Sequence, residues 1–188
     1  MAWRKFFAQR SKLPLIEAPV DPPPSADQAW KALSLIVDWI KHAETKAAAT
    51  IAGTAAVGVA LFNLVKDATS TPWYFLTASA ICGVLALGAG FCASFAIWPR
   101  LRGKEPPTSL LYFQHIARAH TTADGYAASL VALTKDVEAL VGEIARQGWA
   151  NSRVAHQKYI WGARAIILLL TSLVMLAASA LIRLIDSI

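Results

Sequence analysis

The sequence predicts an all-α membrane protein, with three transmembrane helices and long cytoplasmic helical extensions that form a juxtamembrane bundle. Three observations carry that expectation. Apolar residues make up 56% of the 188 positions and charged residues only 16%, too apolar a balance for an ordinary soluble domain. The apolar residues are also blocked, in stretches 47–65, 73–98 and 165–182, none of which contains Asp, Glu, Lys or Arg. Each approaches the roughly 20 residues needed to cross a hydrocarbon core about 30 Å thick. Outside these blocks, apolar side chains recur at spacings of three and four, the period of a helix with one buried stripe.

Residues 1–26 read as a flexible arm, because Pro14, Pro19 and the run Pro22, Pro23, Pro24 deny it helical structure. Its opening, Trp3, Arg4, Lys5, Phe6 and Phe7 with Arg10 and Lys12, mixes bulky apolar and basic groups suited to the inner leaflet. A basic start that leads into prolines instead of an apolar core does not read as a cleaved signal. A helix then begins near Ser25 or Asp27, both good caps, with Trp30, Leu33, Val37 and Ile40 as its packing stripe. No proline interrupts the chain from Ala29 to Val65, so segment 27–46 is expected to run unbroken into the first span, 47–65. About forty residues at 1.5 Å each give roughly 60 Å, so half of this rod projects beyond the bilayer.

The first span is rich in Ala and Gly and carries Thr50, Thr54 and Asn63, a composition that also suits a buried helix of a soluble fold. A short external loop, 66–72, joins it to the second span, 73–98, as a hairpin. The second span is bounded by Pro72 and Pro99. Its Cys82 and Cys92 lie ten positions apart, about 15 Å along a helix, too far to bridge each other. Segment 99–159 is the main cytoplasmic piece. Pro106 and Pro107 precede Thr108 and Ser109, which can cap a short helix over 110–120; 121–125 reads as a turn. Leu130, Leu133, Val137, Leu140 and Ile144 then step three, four, three, four, a coiled-coil seam expected to continue into the third span, 160–183. Residues 184–188 form an external tail.

Basic residues set the orientation, since Lys and Arg near short loops resist translocation. Seven precede the first span and nine lie between Trp98 and Ala165, whereas Lys66 and Arg183 are single on the other side. The amino terminus and the central segment are therefore expected inside and the carboxyl terminus outside. Trp73 and Tyr74 would mark the outer interface and Trp98, Tyr159 and Trp161 the inner one. The net charge of +6 follows from this asymmetry and its attraction to anionic lipid, and calls for no nucleic acid.

Catalytic motifs are absent: there is no phosphate-cradling glycine loop, no serine nucleophile elbow, no paired-cysteine metal motif and no metalloprotease helix. His115 and His120 would lie about 140° apart around a helix, poorly placed to share a metal. The spans offer small and hydroxylated side chains in steps of four: Thr50, Thr54 and Gly58; Ala86, Gly90 and Ser94; Thr171, Met175 and Ser179. Such faces permit close helix contact, or a water-lined path where several chains associate. Below the membrane both seams turn polar, through Glu44 on the first helix and Gln147, Asn151 and Lys158 on the last, so they converge on one polar patch.

Three places carry a family resemblance: His42, Ala43, Glu44, Thr45, Lys46 and Ala47 entering the first span; Ser109 through Ala117 after the second; and Gln147, Asn151, Lys158 and Tyr159 before the third. In order and placement they resemble the transmembrane effectors of Pycsar, the bacterial pyrimidine-cyclase antiphage system, over about residues 30–182. The weakly apolar first span and the 121–125 turn depart from the pattern. The resemblance implies an inner-membrane effector that a partner cyclase activates through cyclic CMP (cCMP) or cyclic UMP (cUMP). The effector would then assemble as a homo-oligomer and disrupt the membrane, ending infection with the cell. It implies no enzyme activity, metal or cofactor.

A cyclic pyrimidine nucleotide needs a cation for its phosphate, donors and acceptors for its base edge, and an aromatic face. Lys46, Arg118 and Lys158 match the first need, His115, Gln147 and Asn151 the second, and Tyr112 or Phe113 the third. Each also has a structural reading, as core or solvated charge. The competing expectation is a scaffold that recruits a partner through its coiled coil without breaching the membrane. A transporter would call for charged or broken helices at the bilayer midplane, which these spans lack.

Overall fold

The computed structural model describes residues 24–66, 72–98 and 109–186; residues 1–23 of the arm, most of the external loop, the start of the connector after the second span and the last two residues lie outside it. Five helices follow in order: α1 (Ala26–Lys66), α2 (Trp73–Ile97), α3 (Phe113–Ala119), α4 (Ala123–Lys135) and α5 (Val137–Asp186). No strand occurs among the described residues. Three of the helices, α1, α2 and α5, are long and apolar enough to span a bilayer. The chain is thus an all-α membrane protein whose first and last spanning helices, at 41 and 50 residues, extend well beyond any bilayer core.

The membrane layer is packed with small side chains inside and large ones outside. Ala47, Ala89, Ala93, Ala96 and Ala165 are fully buried, and Ala47, Ala93, Ala96 and Ala165 touch one another where α1, α2 and α5 meet. Phe62, Val84, Leu87, Phe91, Ile167 and Val174 point outward. Lipid tails are as apolar as leucine, so burying leucine between helices gains little, whereas alanine lets backbones approach and gain dispersion contact. Within this layer the Cys82 thiol donates to the Ser172 carbonyl at 3.2 Å, and at one end the Tyr74 hydroxyl donates to Asp186 Oδ1 at 3.2 Å.

Beyond the membrane, α1 and α5 run parallel. Leu33 meets Leu140 and Ile144, Glu44 meets Lys158 and Ala47 meets Ala165, always in ascending order on both helices. Leu33, Leu140 and Ile144 form a compact core, with Ala26, Ala29, Val37, Leu111 and Leu133 packed around it. The two stripes meet through Leu33, Val37, Leu133, Leu140 and Ile144, while Trp30 and Val137, which their spacing also assigns to the stripes, are exposed instead.

Three local features differ from the sequence expectation. The start of α1 uses Ser25, whose hydroxyl accepts from the Gln28 amide at 3.4 Å, but α3 begins at Phe113 after Tyr112, with no side-chain cap. Ser109 is engaged elsewhere, as described below. Segment 121–125 is mostly the first turn of α4, capped by Thr122, whose hydroxyl accepts from the Gly125 amide at 3.2 Å. The 130–144 seam is not one rod: Asp136, at φ −109° and ψ 101°, separates α4 from α5, and its carboxylate caps α5 by accepting from the Ala139 amide at 3.0 Å.

Candidate functional site

The polar groups gather in two tiers where α1, α2 and α5 leave the apolar layer. Lys158 forms the upper tier. It is 7% exposed, and its ammonium donates to Glu44 Oε1 on α1 at 2.8 Å and to the Ala96 carbonyl on α2 at 2.9 Å. The Ala96 carbonyl lies in the last turn of α2, where helix carbonyls lack intrahelical partners and carry the negative end of the macrodipole. One lysine thus ties all three spanning helices together. Among the described residues, Lys158 to Glu44 is also the one ion pair that joins different helices.

The lower tier holds the segment before α3 against α5. The Ser109 hydroxyl donates to Gln147 Oε1 at 3.4 Å and accepts from the Leu111 amide at 3.2 Å. Its backbone amide donates to His115 Nδ1 at 3.2 Å, which requires that nitrogen to be unprotonated. Gln147 in turn donates from Nε2 to Asn151 Oδ1 at 3.1 Å. Glu143, 6% exposed, completes the tier and takes two bonds from Arg146, at 2.6 and 3.1 Å. Burial alone would push its carboxyl up, but the Ser109 hydroxyl, whose single proton it shares with Gln147, the hydrogen bonds and charge of Arg146, and the Leu110 amide together hold it below the usual carboxylate range.

Of the nucleotide-suited residues, the structure brings His115, Gln147 and Asn151 together around Ser109 and sets Lys158 apart, above them. Tyr112 is half-buried, edge-on to both Phe113 and His115 with centroids 4.9 and 5.0 Å away. The Lys46 ammonium stands 5.8 Å from the centre of the Tyr159 ring, close to Lys158 in sequence register but on the exposed side. Arg118, exposed on α3, has no partner among the described residues. On the outward face of α5 a shallow concavity of about 280 Å³ is lined by Trp149, Ser152, Arg153, His156 and Gln157. Its aromatic and basic members face each other, with Arg153 5.2 Å from the Trp149 ring centre.

The step-of-four faces inside the membrane are only partly interior. Thr50 is buried and bonds back to the Lys46 carbonyl at 2.8 Å. Thr54 lies against Gly90, where an added Cβ would meet its Oγ1 at 3.4 Å, and Ser179 is fully buried. Gly58 has open space around it, and Ser94 and Thr171 are exposed, bonded to their own helices through the Gly90 and Ile167 carbonyls. A step of four turns 400°, so a row drifts about 40° per step and leaves the interface after two. Glu143, Ser172 and the alanine core escaped the sequence reading. Glu143 did leave a trace, as a carboxylate beside the Leu140 and Ile144 seam positions with a basic residue three places on.

A family model for the Pycsar effector protein domain matches residues 28–185. The Pycsar effector protein PtPycTM of Propioniciclava tarda is 29% identical over 155 residues, covering 81% of this chain and 77% of the relative. No solved structure matches the chain at a significant level.

Proposed function

The chain belongs to the Pycsar effector transmembrane family, and we propose that it is an antiphage defence effector gated by a cyclic pyrimidine nucleotide. In this reading a partner cyclase makes cCMP or cUMP during infection, and the nucleotide binds the juxtamembrane tiers from the cytoplasm. The effector then oligomerises and breaches the inner membrane, so that the cell stops before phage spreads. No chemistry on the nucleotide is needed. Family membership carries this reading, and the geometry supports it. The polar tiers sit on α1 and α5, which run without a break into the apolar layer, so a shift in the tiers moves the spans directly.

The orientation that suits this role has the amino terminus and both tiers in the cytoplasm and the carboxyl terminus outside, as the distribution of Lys and Arg favours. Large side chains left exposed on α1, Leu35 and Trp39, lie off the membrane layer and support contact between copies. They equally suit the competing scaffold role, in which a different protein covers them. Expressing the chain in bacteria with and without a pyrimidine cyclase separates the two. The effector reading expects entry of a membrane-impermeant dye only when the cyclase is active; harmless expression at confirmed levels of protein and nucleotide would return the scaffold reading.

A further inference from the structure

We infer that Glu44 is a built-in stand-in for a ligand phosphate, and that Lys158 is the residue that receives that phosphate when the effector switches on. The inference rests on the ligand-gated reading above and names the contact that the ligand would break.

The two partners of Lys158 differ in how they are held. The Ala96 carbonyl is fixed in the backbone of α2, and the lysine side chain is 9% exposed, whereas the Glu44 side chain is 44% exposed. The ammonium is therefore locked in place while its carboxylate partner can be reached from water. A buried ammonium that simply loses its counter-charge is strongly destabilised, so Glu44 does not leave unless another anion takes its place. Exchange of one oxyanion for another is close to balanced, and it discriminates against any neutral ligand.

The surroundings favour a phosphodiester monoanion. Lys46 faces another side of α1 from Glu44, yet its ammonium stands 5.8 Å from the ring centre of Tyr159, the residue after Lys158, and so adds a second cation beside α5. Asn151 lies seven positions before Lys158 on the same face of α5, about 10 Å along the axis, with Gln147 one turn further. A ligand with its phosphate at Lys158 would lie along α5 with its other end at the hydrogen-bonded amides of Gln147 and Asn151. Displacing Glu44 undoes the one ion pair between helices among the described residues, and does so at Ala47, where α1 enters the close-packed alanine contact. Loss of that tie frees α1 from α5 at the membrane boundary.

A phosphodiester of this kind could come from a cyclic nucleotide in water or from a lipid headgroup, and the test separates them. The full chain is reconstituted into phosphatidylcholine vesicles holding a trapped dye. Release is followed against added cCMP or cUMP, and separately against the phosphatidylglycerol fraction with no nucleotide. Ligand-induced thermal shift is the second readout, because it reports binding whether or not the vesicles leak. With its competitor removed, E44Q should respond at a half-maximal nucleotide concentration lower by about fivefold or more. K158Q should lose both release and thermal shift. K158R, which keeps a cation beside the Ala96 carbonyl, should retain both, whereas the charge swap E44K/K158E, which sets a carboxylate against that carbonyl, should stay blind to ligand.

A shift by E44Q in the phosphatidylglycerol series alone would keep the exchange and assign the phosphate to lipid. An unchanged or higher half-maximal value in both series, no ligand-induced thermal shift in either, or a charge swap that responds like the unaltered chain, overturns the inference. Dye release with E44Q unshifted would strike the exchange and spare the proposed function. Tighter binding by E44Q without release from any form would do the reverse.

Discussion

The membrane layer and the juxtamembrane layer of this molecule are built on opposite packing rules. In the membrane layer the contacts are made by Ala47, Ala93, Ala96 and Ala165, and the large side chains face away. In the juxtamembrane layer the core is Leu33, Leu140 and Ile144, flanked by polar side chains bonded across elements. Water explains the contrast. Outside the bilayer, burying a leucine removes apolar surface from water and is favourable; inside it, only close approach and dispersion remain. The difference teaches where each layer can yield. The membrane layer has no internal charge to reorganise, whereas the tiers around Lys158 and Ser109 hold polar contacts that can be exchanged.

That contrast fixes the direction of each substitution. The largest effect is expected from Ile144→Ala, which opens a cavity in the juxtamembrane core and should lower stability by about 2–4 kcal/mol, read by thermal unfolding of the purified protein in detergent. Next is the inverse change, Ala165→Leu, which forces α5 away from α1 and α2 and should cost about 1–3 kcal/mol by overpacking. If Ala165→Leu were neutral, the membrane layer would not be close-packed and the contrast would fail.

Glu143→Gln should cost about 1–3 kcal/mol at neutral pH, because it leaves Arg146 without its charged acceptor. The Glu143 carboxyl is held below its usual range when folded, so its contribution is present above the ordinary carboxylate range and lost as pH falls through the folded value. The gap between the two proteins should therefore close on acidification; a gap that widens would refute the assignment. The smallest effect is expected for Leu87→Ala, 78% exposed on the lipid side, which should change helix packing by less than about 0.5 kcal/mol. A large loss there would mean that this face is covered, which is the mark of a contact between copies.

How much of this was legible follows from the range of each interaction. The three spans and the unbroken run of α1 could be read because hydropathy and the absence of proline from Ala29 to Val65 are local properties of the chain. The start of α3 could not, since Ser109 forgoes a local cap for Gln147, 38 positions away. Nor could the break at Asp136, because the apolar spacing across it is continuous. The break goes with contacts from further off, Leu133 folded onto the Leu33 core and the Tyr126 hydroxyl donating to the Leu110 carbonyl at 3.2 Å. Around the site, the polar turn of both seams was visible in Glu44 and Lys158, but their pairing through the end of α2 depends on three helices at once. Gly58 shows the converse, a small residue at the right spacing whose face meets no neighbour in the bundle.

The central claim is that a cyclic pyrimidine nucleotide opens the membrane through this chain alone. The direct measurement is release of a trapped dye from phosphatidylcholine vesicles that contain the purified protein, on addition of cCMP, cUMP, and cyclic AMP or cyclic GMP as purine controls. The account predicts prompt release with a pyrimidine nucleotide and none with either purine. Intact vesicles under every nucleotide, with the protein folded and inserted, would contradict it.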